Sequence, residues 1–226
     1  MITISHIFYN QHEMLPIHKT HWENHSTAYV KYTIVDDCSP KLITLPFTGM
    51  DCSVYRVKED IPWNIAGARN LSFHVAETEW IFLGDIDHIV TTEALKAMLS
   101  LDKSDPNVVY TFARKTPEGD KGVDAYINFL MNKKRFFEVG GYDEDYSGRY
   151  GREETFFYHC LRAHRIKIEK RDDISLLWYP KLGATKGLVR DKSENAIIFD
   201  KKMIELKSGT YKNGPILRFQ WEKFKQ

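Results

Sequence analysis

The run Trp80-Ile81-Phe82-Leu83-Gly84-Asp85-Ile86-Asp87-His88 decides how this chain is read. Its first four residues are apolar and flanked by polar sequence, which predicts a short buried strand. A strand that is apolar on both sides belongs in the middle of a mostly parallel sheet, covered by helices on each face. Gly84 frees the backbone, and Asp85 and Asp87 follow with one residue between them. Residues two apart on an extended chain point to one side. Two carboxylates are therefore expected to meet at the carboxyl end of a central strand, where open α/β sheets bind ligands. Two hard oxygen donors at that point suit Mg²⁺ or Mn²⁺, with a diphosphate completing the coordination. The plainer alternative is a polar loop in which one aspartate caps the next helix.

Outward from that run, the pattern predicts strands over 2–8, 29–35, 54–57 and 108–112. Helices are predicted over 11–24, 63–76 and 93–101, with Pro16 in the first turn of the earliest. Strands alternating with helices argue a doubly wound α/β sheet. The polar stretch 113–124 reads as a loop, 125–131 as strand formers, and 133–139 as a short helix ended by Gly140-Gly141. Residues 153–163 read as a helix, 166–168 and 174–178 as two late strands, and 194–206 as a last helix.

The 226 residues suffice for one α/β domain. Lys plus Arg number 32 against 31 Asp plus Glu, a net charge of +1, so no electrostatic footprint for nucleic acid exists. Hydrophobic residues at 42% sustain a core and exclude extended disorder. No apolar run approaches the ~20 residues of a membrane span. MITISHIFYN lacks the basic start and long apolar stretch of a signal peptide. Cys38, Cys52 and Cys160 form no C-x-x-C pair and are odd in number, which suits free thiols in a reducing compartment. The expectation is a cytoplasmic protein without a transmembrane segment.

Four further stretches carry chemistry. In Ile34-Val35-Asp36-Asp37-Cys38-Ser39-Pro40 a strand runs into two acids, which either accept a base-edge N–H or shape a turn. In Trp63-Asn64-Ile65-Ala66-Gly67-Ala68-Arg69-Asn70 small residues allow close helix packing, and Arg69 offers a fork for phosphate or base oxygens. Asn70 can bridge to backbone. Glu153 and Glu154 open a helix, where carboxylates gain from its dipole or serve as a general base. Lys181, Lys186, Arg190 and Lys192, with Gly183 and Gly187, form either a solvated segment or a flap over a diphosphate. The nine histidines show no zinc spacing, although His88 stands beside Asp87 as a candidate support.

In this order the pieces resemble the GT-A glycosyltransferases, above all the inverting family 2 enzymes and related galactosyltransferases. The matching motifs are I-F-Y-N, I-V-D-D-C-S, G-A-R-N, L-G-D-I-D, V-G-G-Y-D-E and G-R-E-E, over residues 2–165. The resemblance implies a GT-A (nucleotide-diphospho-sugar transferase) fold, with a mostly parallel central sheet flanked by helices, in a single domain over 1–226. Residues 1–112 would bind the nucleotide sugar, 113–180 would hold acceptor and catalytic groups, and the basic tail 181–226 would be a candidate lid. It further implies a UDP-sugar donor and a glycan or other hydroxyl acceptor. Tyr9 would stack on uracil, Asp37 would accept its N–H, and Asn64 and Arg69 would face the nucleotide. Asp85 would contact ribose or metal, and Asp87 would bind Mn²⁺ or Mg²⁺. Glu154, one methylene longer than the family's second acid, would be the base, with Glu153 as the alternative. No histidine follows His164, so water or Lys181, Lys186 and Arg190 would take the place of the family's late histidine at the diphosphate.

Two other functions share this architecture. A sugar nucleotidyltransferase would carry a glycine-rich basic loop after the first strand, where this chain has Tyr9-Asn10-Gln11-His12. A non-catalytic nucleotide-sugar-binding module would have no need of Asp85, Asp87 and both glutamates.

Overall fold

In the computed structural model, which describes residues 1–23, 25, 29–44, 52–122, 127–182 and 188–224, the apolar run at 80–83 is a fully buried strand. The chain opens with β1 (Ile2–Phe8), α1 (Met14–Trp22), β2 (Val30–Asp36), β3 (Cys52–Val57) and α2 (Ile65–Val75). It continues through β4 (Trp80–Asp85), β5 (His88–Ile89), α3 (Thr92–Leu99), β6 (Val108–Lys115), β7 (Phe129–Asn132) and α4 (Lys133–Glu138). A short 3₁₀ turn (Glu144–Tyr146) then precedes α5 (Glu153–Ala163), β8 (Lys167–Trp178), α6 (Ser193–Ser208) and β9 (Trp221–Phe224).

One sheet has the order β5-β8-β6-β7-β4-β1-β2-β3-β9. Strands β4, β1, β2 and β3 are parallel neighbours, as expected for the buried apolar runs. Beyond β4 the sheet becomes mixed, because β7 lies antiparallel to both β4 and β6. Parallel neighbours need a long crossover, usually helical, whereas the described part of the β6–β7 connection is a turn. The two late strands expected at 166–168 and 174–178 are one strand, β8. Its register on β6 slips between Phe112, opposite Arg171, and Ala113, opposite Ser175, so polar residues bulge out between the two apolar pieces.

Period-two alternation sends β4 side chains to both faces. Trp80 and Phe82 join α1 and α3 residues such as Leu15 and Leu95, while Ile81 and Leu83 join Leu71 and Phe73 of α2 and Phe157 of α5. The small residues of α2 serve close packing: a Cβ on Gly67 would collide with Asn64 and the Phe219 ring. Asn70 binds the backbone of Tyr142 in both directions, Nδ2 to the carbonyl at 2.9 Å and Oδ1 from the N–H at 2.8 Å. A Cβ on Gly141 would lie 2.7 Å from Asn70 Oδ1, and its φ is +66°, so glycine is required there. The A-R-N and G-G-Y-D-E motifs are thus two halves of one joint.

The tail corrects the lid expectation for residues 193–224. Lys202 Nζ pairs with Asp143 and, at 2.7 Å, with Asp145. The Tyr211 hydroxyl donates to Asp143 at 2.8 Å, Glu144 accepts the N–H groups of Leu217 and Arg218, and β9 pairs with β3. These long-range ties build α6 and β9 into the domain. Lys202→Met would leave the buried Asp143 carboxylate without its cation, a loss of about 3–5 kcal/mol. A melting temperature lower by roughly 10 °C is expected, and an unchanged one in calorimetry would contradict the anchoring role.

Candidate active site

The carboxyl ends of β1, β2 and β4 open onto a cavity of about 470 Å³, within the range of small-ligand sites. Tyr9 and Asp37 line it after β1 and β2, and Asp85 and Asp87 line it after β4. Trp63, Trp178 and Arg190 are among the other residues of its walls.

The two acids of the β2 motif have different tasks. Asp36 is fully buried in an ion pair with Arg56 and accepts the Ser39 N–H at 3.0 Å. Ser39 Oγ in turn accepts the Asn10 N–H at 2.8 Å, tying the β1 and β2 loops together. Asp37 is the acid that lines the cavity. Asn64 does not line it; its Nδ2 donates to Asp37 Oδ1 at 3.0 Å, and its own Oδ1 accepts the Ser147 hydroxyl. Burial pushes the Asp37 carboxyl up to about 7, against the Asn64 hydrogen bond.

The second acidic group sits on a pinned turn. The Ile86 N–H donates to the Ile7 carbonyl at 3.1 Å, and the Ile86 carbonyl lies 2.7 Å from His18 Nε2. With Ile86 buried, Asp85 and Asp87 are left on the cavity side. Asp87 Oδ1 lies 2.6 Å from His88 Nδ1, and its Oδ2 accepts from Trp178 Nε1 at 3.3 Å. Burial alone would push Asp87 up, but His88, the Trp178 hydrogen bond and Arg114 hold it below the ordinary carboxylate range. For Asp85 burial prevails over the pull of Arg69, and its carboxyl is raised.

Arg69 corrects an expectation. It is fully buried and does not line the cavity; its Nη2 donates to Asp85 Oδ1 at 3.2 Å and to Glu154 Oε1 at 2.8 Å. One guanidinium nitrogen therefore sets the spacing of two carboxylates that belong to distant parts of the chain. Glu154 is one-third exposed, whereas Glu153 is buried and raised to about 7, by burial first and then by repulsion from Glu154. Neither glutamate lines the cavity, and of the two only Glu154 shares a hydrogen-bonded partner with the aspartate pair.

Of the tail cations, Arg190 lines the cavity, where its guanidinium lies 5.8 Å from the Tyr150 ring centroid. Lys181 is exposed and does not line it, and Lys186 lies outside the described residues. Trp63 and Trp178 were not legible as cavity residues, since neither sits in a spacing that marks chemistry. A backbone signal does mark the region. Asn10, Cys38, Trp63 and Arg152, at φ between 51° and 77°, are non-glycine residues in the left-handed region. Each adjoins or lines the site, whereas the other two described residues of this kind, Arg165 and Leu217, lie elsewhere; such strain often gathers at functional sites.

Among the described residues no group of three His, Cys, Asp or Glu side chains forms a closed metal cage. The Asp85–Asp87 pair fits instead a hard divalent cation that draws its remaining oxygens from water and a diphosphate.

The sequence matches no protein-family model and no curated protein. Solved structures do match. The crystal structure of S. aureus TarS residues 1–349 with UDP-GlcNAc superimposes with a TM-score of 0.72 at 14% identity, over 96% of this chain and 68% of that one. The fold is the GT-A fold. The mannosyltransferase PcManGT from Pyrobaculum calidifontis, with GDP-Man and Mn²⁺, gives a TM-score of 0.60 at 12% identity, over 95% of this chain and 65% of its own. GalNAc-T7, with UDP, GalNAc and Mn²⁺, gives 0.64 at 12% identity, over 93% and 50%. The GT-A neighbours are glycosyltransferases, and this chain spans between half and about two thirds of their length. Among the described residues no helix is long and apolar enough to cross a membrane.

Proposed function

We propose that the chain is a metal-dependent inverting glycosyltransferase that moves a sugar from a UDP-sugar to a hydroxyl of a glycan or other acceptor. The observation that carries this reading is the Arg69 bridge, which ties Asp85, at the cation end of the cavity, to Glu154, the candidate base. The UDP and GDP-sugar complexes of the GT-A neighbours support the donor class.

In this reading Tyr9 packs on the uracil and Asp37, braced by Asn64, accepts its N3–H. Asp85 and Asp87 would hold the cation that accompanies the diphosphate. A bound Mn²⁺ or Mg²⁺ would supply Lewis-acid neutralisation of the departing UDP. Arg69 orients Glu154 through Oε1, so Oε2 takes the proton of the acceptor hydroxyl as that oxygen attacks the anomeric carbon. The bond to the diphosphate breaks on the opposite face, and the configuration inverts. Arg190 meets the diphosphate from the tail side.

Release of UDP from UDP-Glc, UDP-Gal, UDP-GlcNAc and UDP-GalNAc, followed with and without Mn²⁺, tests the proposal. Slow metal-dependent turnover of at least one donor is expected. Tight binding without any turnover would leave a non-catalytic module.

A pH dependence follows from Asp37. An ionised carboxylate accepts the uracil N–H more strongly than a neutral acid does, and burial keeps Asp37 partly protonated near neutrality. UDP affinity should rise with pH up to about 7 and level off above it. Below that point it should fall, by at most about tenfold per unit. Asn64→Ala removes the hydrogen bond that favours the charged form and should move the inflection to higher pH. A flat profile between pH 5.5 and 8 would remove Asp37 from the base contact.

A further inference from the structure

We propose that Arg114 is a positioning residue for the cation site, acting through His88 on Asp87; the proposal rests on the metal-dependent reading above. Asp87 lies beyond the end of β4, so the sheet ladder does not fix its side chain. A ring of side chains from three strands does. Arg114 Nη1 lies 3.2 Å from His88 Nε2, and His88 Nδ1 lies 2.6 Å from Asp87 Oδ1. Trp178 Nε1 donates to Asp87 Oδ2 at 3.3 Å, and the Arg114 guanidinium carbon lies 4.0 Å from the Trp178 ring centroid, which closes the ring. The His88 and Trp178 rings stack, with centroids 6.1 Å apart and planes 17° from parallel.

Hydrogen-bond chemistry gives this ring a direction. Arginine has donors only, so His88 Nε2 must accept. The hydrogen of the imidazole is then on Nδ1, and it is donated to Asp87. Each Asp87 oxygen accepts one hydrogen bond from the ring and keeps lone-pair capacity for a cation. Supports of this kind around ligating side chains orient the ligand and set its basicity.

The turn at 116–122 holds Arg114 in place. The Gly122 N–H donates to the Arg114 carbonyl at 3.0 Å, and Thr116 N–H donates to the Asp120 carbonyl at 2.9 Å. A Cβ on Gly122 would lie 2.7 Å from Arg114 Cγ and Nε, so the backbone rests directly on the arginine stem. The described part of the polar 113–124 stretch thereby clasps the residue that steers the cation site.

The test is a titration of Mn²⁺ into protein saturated with UDP, followed by electron paramagnetic resonance, together with ¹⁵N NMR of histidine-labelled protein without metal. Arg114→Met should weaken Mn²⁺ about ten- to a hundredfold, leave UDP affinity in EDTA unchanged, and shift His88 toward the Nε2–H tautomer. Arg114→Lys, which keeps a donor, should recover part of the affinity. Gly122→Ala crowds the arginine stem without removing any polar group, and should move both readouts in the direction of Arg114→Met. Wild-type Mn²⁺ affinity and an unaltered His88 tautomer in Arg114→Met would overturn the proposal. If the wild-type protein takes up no Mn²⁺ with UDP, the metal-dependent reading falls and this proposal with it. A shifted tautomer beside unchanged Mn²⁺ affinity would overturn the positioning role alone.

Discussion

Glu154→Gln is expected to leave UDP binding within about twofold of wild type while slowing sugar transfer by about 10²–10⁴-fold, the usual contribution of a general base. Glutamine keeps a carbonyl oxygen for the Arg69 Nη2 that Glu154 Oε1 now accepts, so the bridge to Asp85 survives. What is lost is the capacity to take a proton. Glu153→Gln should cost far less, because that side chain is buried and shares no hydrogen-bonded partner with Asp85. Initial rates with a UDP-sugar donor, beside calorimetric UDP affinity, make the comparison. A Glu154→Gln enzyme that transfers at the wild-type rate would move the base elsewhere, with Glu153 next in line and Asp143 set aside by its buried ties to Lys202 and Tyr211.

Arg69→Met should separate function from stability. A buried arginine ion pair resembles a structural keystone, but the magnitudes argue otherwise. Its Nε and Nη1 are buried without a hydrogen-bond partner among the described residues, so the folded state bears much of the desolvation cost of a guanidinium. Its two carboxylate partners are each one-third exposed, so water can solvate them when the arginine is gone. Removing one partner of a buried pair is costly when it strands a buried charge, but here the stranded carboxylates reach water, so the cost should be small. The melting temperature should therefore stay within about 5 °C of wild type. Transfer should fall by more than about 10³-fold, because Asp85 and Glu154 lose their common reference and misplacement at a reacting centre is costly. Without Arg69, the main counterweight to the Asp87 charge is lost and Asp85 shifts toward its neutral form, which is a poor cation ligand. A collapse in stability with catalysis preserved in the remaining folded fraction would show that Arg69 is there to hold the fold.

The difference between what was and was not legible in the sequence follows the range of the interactions. The buried run of β4, the α2 helix behind small residues and the bounds of α5 at 153–163 rest on local patterns, and the structure places them within a residue or two. β9 was missed because Trp221–Phe224 is a half-exposed edge strand with no alternation to announce it. The two acids of the β2 motif read identically in sequence; only Arg56, 20 residues on, assigns Asp36 to the frame and leaves Asp37 at the cavity. Arg69 reads as a fork facing the nucleotide because its burial depends on partners 16 and 85 residues away. His88 beside Asp87 was legible as a support, whereas Arg114, which sets its tautomer, lies in a stretch that reads as loop. Tail residues 193–224 read as a basic flap because the acids that fix them, Asp143 and Asp145, belong to a motif read for its glycines.

Central to the proposed mechanism is a cation held by Asp85 and Asp87 when a nucleoside diphosphate fills the cavity. Calorimetric titration of UDP into the wild-type protein and Asp87→Ala, each in Mn²⁺ and in EDTA, examines this most directly. The predicted result is tight binding for the wild type in Mn²⁺ alone, with affinity at least about a hundredfold weaker in the other three conditions. Equal UDP affinity in Mn²⁺ and EDTA, or an Asp87→Ala variant that binds as the wild type does in Mn²⁺, would contradict it.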